Sequence, residues 1–198
     1  MAAPTRRPGH RHGNARQALV AAAEALLEST GAAGLSLRQL SEHAGLSRQA
    51  AYNHFADKQA LLAELARAGF EKLEKKVRRA AARHAGEMAL AAAGEAYIAF
   101  AQNAPAQFRL MFSRELVDIS HYPDAGAAGN AAFQALAEVV ATLTAKERVD
   151  ALSLAAWCQV HGYATLCLEA SLEPKRRRRE RAVLFARLIA GEAARQPR

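Results

Sequence analysis

Two helix-start signals lie only ten residues apart in GLSRQAAYNHFADKQALL, residues 45–62: Ser47 and Asp57 can each cap a helix, and Gly45 breaks the chain just ahead of them. Another capping pair precedes these, Ser36 with Gln39, opening a short helix through His43 that turns Leu37, Leu40 and Ala44 inward. A helix of about seven residues, a glycine turn and a second short helix make a helix-turn-helix arrangement. On a helical wheel the second helix buries Ala51 and Phe55, four apart, and sets Arg48, Gln49, Tyr52 and Asn53 on the opposite arc. Arginine can pair with guanine O6/N7 and Gln or Asn with adenine N6/N7, while Tyr, His and Lys suit phosphate oxygens. The following helix start, at Lys58, adds an ammonium and a helix dipole for one more phosphate.

The rest of the chain reads as helix almost throughout. Residues 1–13 form a basic arm punctuated by Pro4, Pro8, Gly9 and Gly13, in which Arg6, Arg7 and Arg11 could enter a minor groove. Asn14 with Gln17 resembles a capping box for a first helix that Gly31 stops; Leu19, Ala22, Ala23, Leu26 and Leu27 are its inward face. Asp57 opens a long helix running toward Gly86. Further helices are expected over 87–103, 130–143, 148–171 and 175–194, with PAQFRLMFSRELV starting at Pro105 and DISHYPDAGAAG as a polar loop. Alternating β-branched runs are absent, so the expected fold class is all-α.

Net charge is +8, but its distribution matters more than its sum. Residues 61–173 hold more acids than bases, whereas 174–198 carry nine Lys/Arg against two Asp/Glu. A basic arm and tail could by themselves drive sequence-indifferent, architectural binding of DNA, the alternative to a specific reader. Cys158 and Cys167 lie nine residues apart in one expected helix, about 13 Å at ~1.5 Å per residue, too far to bridge. No apolar run spans a bilayer and the start MAAPTRRPGHRHG lacks the apolar region of a signal peptide, so a cytoplasmic, reduced protein without a membrane partner is expected. Cys158-x-x-His161 and His10-x-His12 supply too few ligands for a tetrahedral metal site, and no catalytic constellation stands out. No cofactor or enzymatic activity is expected.

The stretch from Asn14 to Leu65 resembles the DNA-binding head of TetR-family transcriptional regulators. The resemblance is carried by Leu37-x-x-Leu40-x-x-x-Ala44-Gly45-Leu46-Ser47, Tyr52-x-His54-Phe55 and Lys58-x-x-Leu61-Leu62. It implies a three-helix DNA-binding domain over 14–60 and a larger helical domain over 61–198 that dimerises and binds a small effector. It further implies a pseudopalindromic double-stranded operator. Carried over by position, Arg48, Gln49 and Asn53 would read bases, Tyr52, His54 and Lys58 would hold phosphates, and Ser36, Arg38 and Ser47 complete the DNA-facing set. The chain departs from the family at Ala50-Ala51, where a hydroxyl residue and a larger aliphatic are common.

Trp157 and His161, four apart, with Gly162, resemble the TetR subgroup named for a Trp-His-Gly signature in its C-terminal domain. On that resemblance Tyr97, Phe100, Phe108, Met111, Phe112, Phe133, Trp157 and His161 would line an effector pocket; ordinary core packing accounts equally for any one of these aromatics. The last two helices are implied to pair across a homodimer, with Leu184, Phe185, Leu188 and Ile189 as the apolar stripe.

Overall fold

The helices begin where local caps start them. The computed structural model describes residues 10–47, 49–170 and 175–195, and among these every regular element is helical. Helix α1 spans His10–Gly34, but Gly31 at φ 69° breaks its helical course at the residue the sequence marks as its stop. It starts four residues before Asn14, because beyond Pro8 no proline interrupts the winding. Helix α2 (Leu37–His43) is capped by Ser36, whose Oγ accepts the Gln39 N–H at 3.2 Å. Helix α3 (Lys58–Ala81) is capped by Asp57, which accepts the Ala60 N–H at 2.7 Å.

Between α2 and α3 the chain is tighter than a regular helix. Asn53 N–H bonds Gln49 O and Phe55 N–H bonds Ala51 O, each four residues back, while Ala50 and His54 reach back only three. The recognition segment from Gln49 to Phe55 is therefore a run of turns rather than the regular helix expected after Ser47, confined between Gly45 (φ 66°) and the extended Asp57.

The remaining elements are α4 (Gly86–Asn103), α5 (Pro105–Phe112), α6 (Pro123–Ala141), α7 (Val149–Glu169) and α8 (Arg178–Ala193). Helix α6 begins seven residues before the expected start, within the segment expected to be a polar loop. Pro123 at its first turn is preset for helix, Asp124 suits the dipole there, and α6 packs along α3 with the Phe70 ring against Gly129. Tertiary packing thus overrides the low helix propensity of two glycines.

Helix α3 leads away from the N-terminal head and packs on α4, α5 and α6; α4 returns toward the head and packs on α7 and α8. One continuous apolar core results. It runs from Leu19, Leu40 and Phe55 in the head through Leu65, Phe70 and Val77 to Ile98, Leu110 and Val140. Each such side chain contributes on the order of 1.5–3 kcal/mol by leaving water. No helix among the described residues is long and apolar enough to cross a membrane.

The closest approach is where α5 lies on α3. A Cβ at Gly69 would stand 2.6 Å from Met111 Sδ and 3.1 Å from Gln107 Cγ. Gly69→Leu should lower unfolding free energy by about 1–3 kcal/mol in urea titration, the usual range for overpacking. An unchanged midpoint would show that α5 yields freely at this contact.

Candidate nucleic-acid interface and ligand cleft

The outward donors are set by what the inward residues hold. Ala51 and Phe55 are buried, and Ser41, wholly buried on α2, accepts the Ala51 N–H at 3.1 Å. The Arg16 guanidinium lies 5.4 Å from the Phe55 ring centroid, tying α1 to the same segment by a cation–π contact. Neither Ser41 nor Arg16 is a site candidate from sequence; the signal for Ser41 is a hydroxyl at the inward spacing of Leu37 and Leu40.

With the backbone fixed in this way, Ser47, Gln49, Tyr52 and Asn53 are exposed and His54 is half-buried. Among the described residues none of the Gln49, Tyr52 and Asn53 side chains has a partner, so their donors are available to a ligand. Arg48 lies outside the described residues, as do Arg6 and Arg7 of the arm. The other three expected DNA contacts are engaged within the chain. Lys58 Nζ donates to Ala33 O at 2.8 Å, Ser36 Oγ donates to Gln39 Oε1 at 2.9 Å, and Arg38 pairs with Glu42 at 3.1 Å.

Behind this face a charge network joins head to body. Buried Glu64 on α3 accepts from Arg67 at 2.7 and 3.0 Å and from Arg16 of α1 at 2.7 Å. The Arg67 hydrogen bonds, opposed by burial and reinforced by Arg16, bring the Glu64 pKa down from 4.5 to about 2. Lys72 of α3 also pairs with Glu24 of α1 at 2.7 Å. Glu28 of α1 accepts the N–H groups of Ala106 and Gln107 at 3.2 and 2.9 Å. Helix α5 has no side-chain cap of its own, so a carboxylate from the head satisfies its first turn.

The far side of α5 faces a cluster of rings. Phe112 lies 5.3 Å from Phe70, 5.0 Å from Phe108, 6.2 Å from Trp157 and 4.5 Å from His161. Trp157 also packs on Tyr97 and Phe133. The Tyr97 hydroxyl is 2.9 Å from His161 Nδ1; burial lowers the His161 pKa and raises that of Tyr97, so a neutral imidazole and a protonated phenol share this hydrogen bond.

A cleft of about 520 Å³ opens beside the cluster, walled by Phe70, Met111, Phe112, Val117 and Trp157, with Ser113, Ser120 and Asn130 among its polar lining. Arg114 and Asp118 close one side as an ion pair at 2.7 Å, in which Arg114 and the Ser120 hydroxyl and N–H hold Asp118 well below the carboxylate range. Of the eight expected pocket residues, Met111, Phe112 and Trp157 line this cleft. Tyr97, Phe108, Phe133 and His161 stand behind them in the ring cluster. Phe100 is elsewhere, on the floor of a groove between α3 and α4 whose rim carries Lys76, Arg79 and Arg83. Phe70 and the polar lining of the 113–120 segment are not among the residues expected from sequence.

Residues 19–65 match the family described as bacterial regulatory proteins, tetR family, and residues 90–191 match the tetracyclin repressor-like C-terminal domain. A protein with unknown function from Rhodococcus sp. RHA1 is 30% identical over 96% of this chain and 100% of its own, with a TM-score of 0.80. A bacterial regulatory protein of the tetR family from Rhodococcus RHA1 shares the fold at 15% identity, a TM-score of 0.67, and coverage of 92% of this chain and 98% of its own. So does the TetR family transcriptional regulator PfmR from Thermus thermophilus, at 17% identity, a TM-score of 0.63, and coverage of 90% and 99%. No curated protein matches the chain.

The depressed Glu64 pKa gives a pH signature. A carboxylate whose folded pKa lies below its unfolded value stabilises fully above the unfolded value, here 4.5, and loses that contribution as pH falls toward 2. Glu64→Gln should therefore be less stable than the parent at pH 6, and the gap should narrow steadily between pH 4.5 and 2. A gap independent of pH would remove the charge network as its cause.

Proposed function

The chain belongs to the tetR family of bacterial regulatory proteins, non-enzymatic DNA-binding transcription factors, and from that premise we propose a homodimeric repressor that a small effector releases from its operator. The observation that carries the reading of DNA is the row of exposed, unpartnered donors at Gln49, Tyr52 and Asn53, backed by Ala51, Phe55 and the Ser41 hydrogen bond. Gln49 and Asn53, with Arg48, read base edges; Tyr52 and His54 hold phosphates. Lys58 joins them only by leaving Ala33, so its part in DNA binding requires a local rearrangement. Acting on chromosomal DNA, the protein works in the cytoplasm.

Dimerisation is supported by α7 and α8. Leu154, Leu166, Leu184 and Leu188 are exposed, and a Cβ at Gly162 or Gly191 would meet nothing within 4 Å. Phe185 instead packs on Tyr163 and Ile189 is buried, so only half of the stripe expected on α8 is free for a partner. A second copy covering this face would place two recognition segments about 34 Å apart on one side of the duplex, the spacing of successive major grooves.

The cleft beside Trp157 suits an effector with an apolar body and hydrogen-bonding edges. Its occupant would press on Met111 and Phe112 at one end of α5, whose other end is held by Glu28 of the head. A ligand that favours a shifted α5 thereby favours a head spacing that no longer fits the operator. Membership of the Trp-His-Gly subgroup is proposed on the sequence of Trp157, His161 and Gly162 alone, the matched C-terminal family being the tetracyclin repressor-like one.

Selection from a random DNA pool at physiological salt should enrich a pseudopalindrome, and Gln49→Ala or Asn53→Ala should each lose about 1–3 kcal/mol of discrimination at one base pair per half-site. Retention of DNA with no enrichment would overturn the specific reader in favour of architectural binding. Trp157 is the chain's one tryptophan, so any compound that dissociates the complex through the cleft should also shift or quench its emission. Release of DNA with the Trp157 spectrum unchanged would place the effector elsewhere.

A further inference from the structure

Lys175–Arg179 is a run of five consecutive cations that the functional reading above leaves without a role. It leads into α8, where cations oppose the helix dipole, and the acid of that first turn is Glu180. Arg178 is drawn to Glu95 of α4 at 3.5 Å. Arg176, Arg177 and Arg179 are exposed and have no partner among the described residues. Mutual repulsion and an unfavourable dipole make this cluster costly in the isolated subunit, and an anionic partner would offset that cost.

The fold places the run at a definite level of the body. Helix α3 leaves the head at Lys58, α4 returns, and α5 then meets α1 at Glu28, so the end of α4 and the start of α5 lie at the head. Arg109 of α5 pairs with Glu169, the last residue of α7, at 2.8 Å. Helix α8 runs antiparallel to α4, with Arg178 beside Glu95 and Arg187 beside Glu87. The α7 terminus therefore lies beside α5 on the head side of the body, and the α8 start lies in the head-side half, level with the middle of α4, with Arg176 and Arg177 preceding it and the rest of α8 running away from the head.

We infer that Arg176, Arg177 and Arg179 form an accessory patch for the phosphate backbone of duplex DNA, on the surface that faces the operator between the two half-sites. This rests on the dimeric reading above: pairing through α7 and α8 brings the two copies of the run close to the twofold, over the DNA midway between the recognition segments. Guanidinium groups suit phosphate oxygens and carry no base information in such a position. The patch thus adds affinity and salt dependence without changing which sequence is chosen. It also assigns the basic tail to the same complex as the recognition segment rather than to a separate mode of binding.

The test uses the full chain and the triple variant Arg176→Ala/Arg177→Ala/Arg179→Ala. Binding to the selected operator duplex and to a scrambled duplex is titrated across salt, and sedimentation is run in parallel. One phosphate per subunit corresponds to a change of about 2 in the slope of log K against log salt, at ~0.9 per phosphate for duplex DNA. The variant should stay dimeric, lose a slope of about 2 or more on both duplexes, and keep its operator-to-scrambled ratio within about twofold. A triple Lys variant should retain the parent slope. An unchanged slope in a dimeric Ala variant would overturn the patch, as would loss of the dimer, which would assign the run to assembly. A parent chain that binds neither duplex would instead sink the DNA-reading function itself.

Discussion

One helix has to serve two cores, and the rest of the molecule is arranged around that requirement. The first turns of α3 bury Leu61, Leu62 and Leu65 on the side of α1, and its later turns bury Phe70, Leu73 and Val77 against α4, α5 and α6. The head therefore cannot tilt without disturbing the body. At the changeover stands Glu64, where a buried carboxylate is tolerable only because Arg16 and Arg67 surround it. Losing either arginine would leave a charge poorly compensated in a packed interior. The network is thus a constraint on head orientation as much as a source of stability.

A second constraint comes from α5, which is short and has few contacts of its own kind. Eight residues cannot make a stable helix in isolation, and its carbonyl and N–H ends need outside partners. Glu28 supplies one end, Gly69 gives room for its flank, and the ring cluster around Phe108 and Phe112 holds the other face. The supports come from α1, α3, α4 and α7, through Glu28, Gly69 with Phe70, Tyr97 and His161. Under the proposed function, α5 is the element that would carry a displacement at the cleft to Glu28 of α1.

Much of this was legible in sequence where the determining interaction is local. The caps at Ser36 and Asp57 and the break at Gly31 depend on residues within a turn, and so do the burial of Ala51 and the exposure of Gln49 and Tyr52. The start of α6 was not legible, because PDAGAAG has loop composition, while Pro123 at its first turn and the packing of α6 along α3 favour helix there. The cleft was only partly legible for a similar reason. Tyr97 and Phe100 are three residues apart, about 60° around the helix at ~100° per residue, and that rotation sends one ring to α7 and the other to the groove beside α3. Phe70, Ser113 and Asn130 come together from distant positions that no single-helix pattern connects.

The charge distribution follows from the same architecture. The body between the basic ends is slightly acidic, and many of its acids are consumed in pairs that lock helices together, as with Glu138 to Arg78 and Glu169 to Arg109. Such pairs fix geometry while presenting little net field. The uncompensated arginines of Arg176–Arg179 stand apart from this pattern, because neighbouring elements supply a partner to Arg178 and leave three others to solvent. Unpaired positive charge thus gathers in two places, on the rim of Lys76, Arg79 and Arg83 and in the head-side half of the body where α8 begins. The field at the start of α8 then acts on the same polyanion as the recognition segment, and its range, a Debye length of about 8 Å at physiological salt, limits it to DNA already held close by that segment.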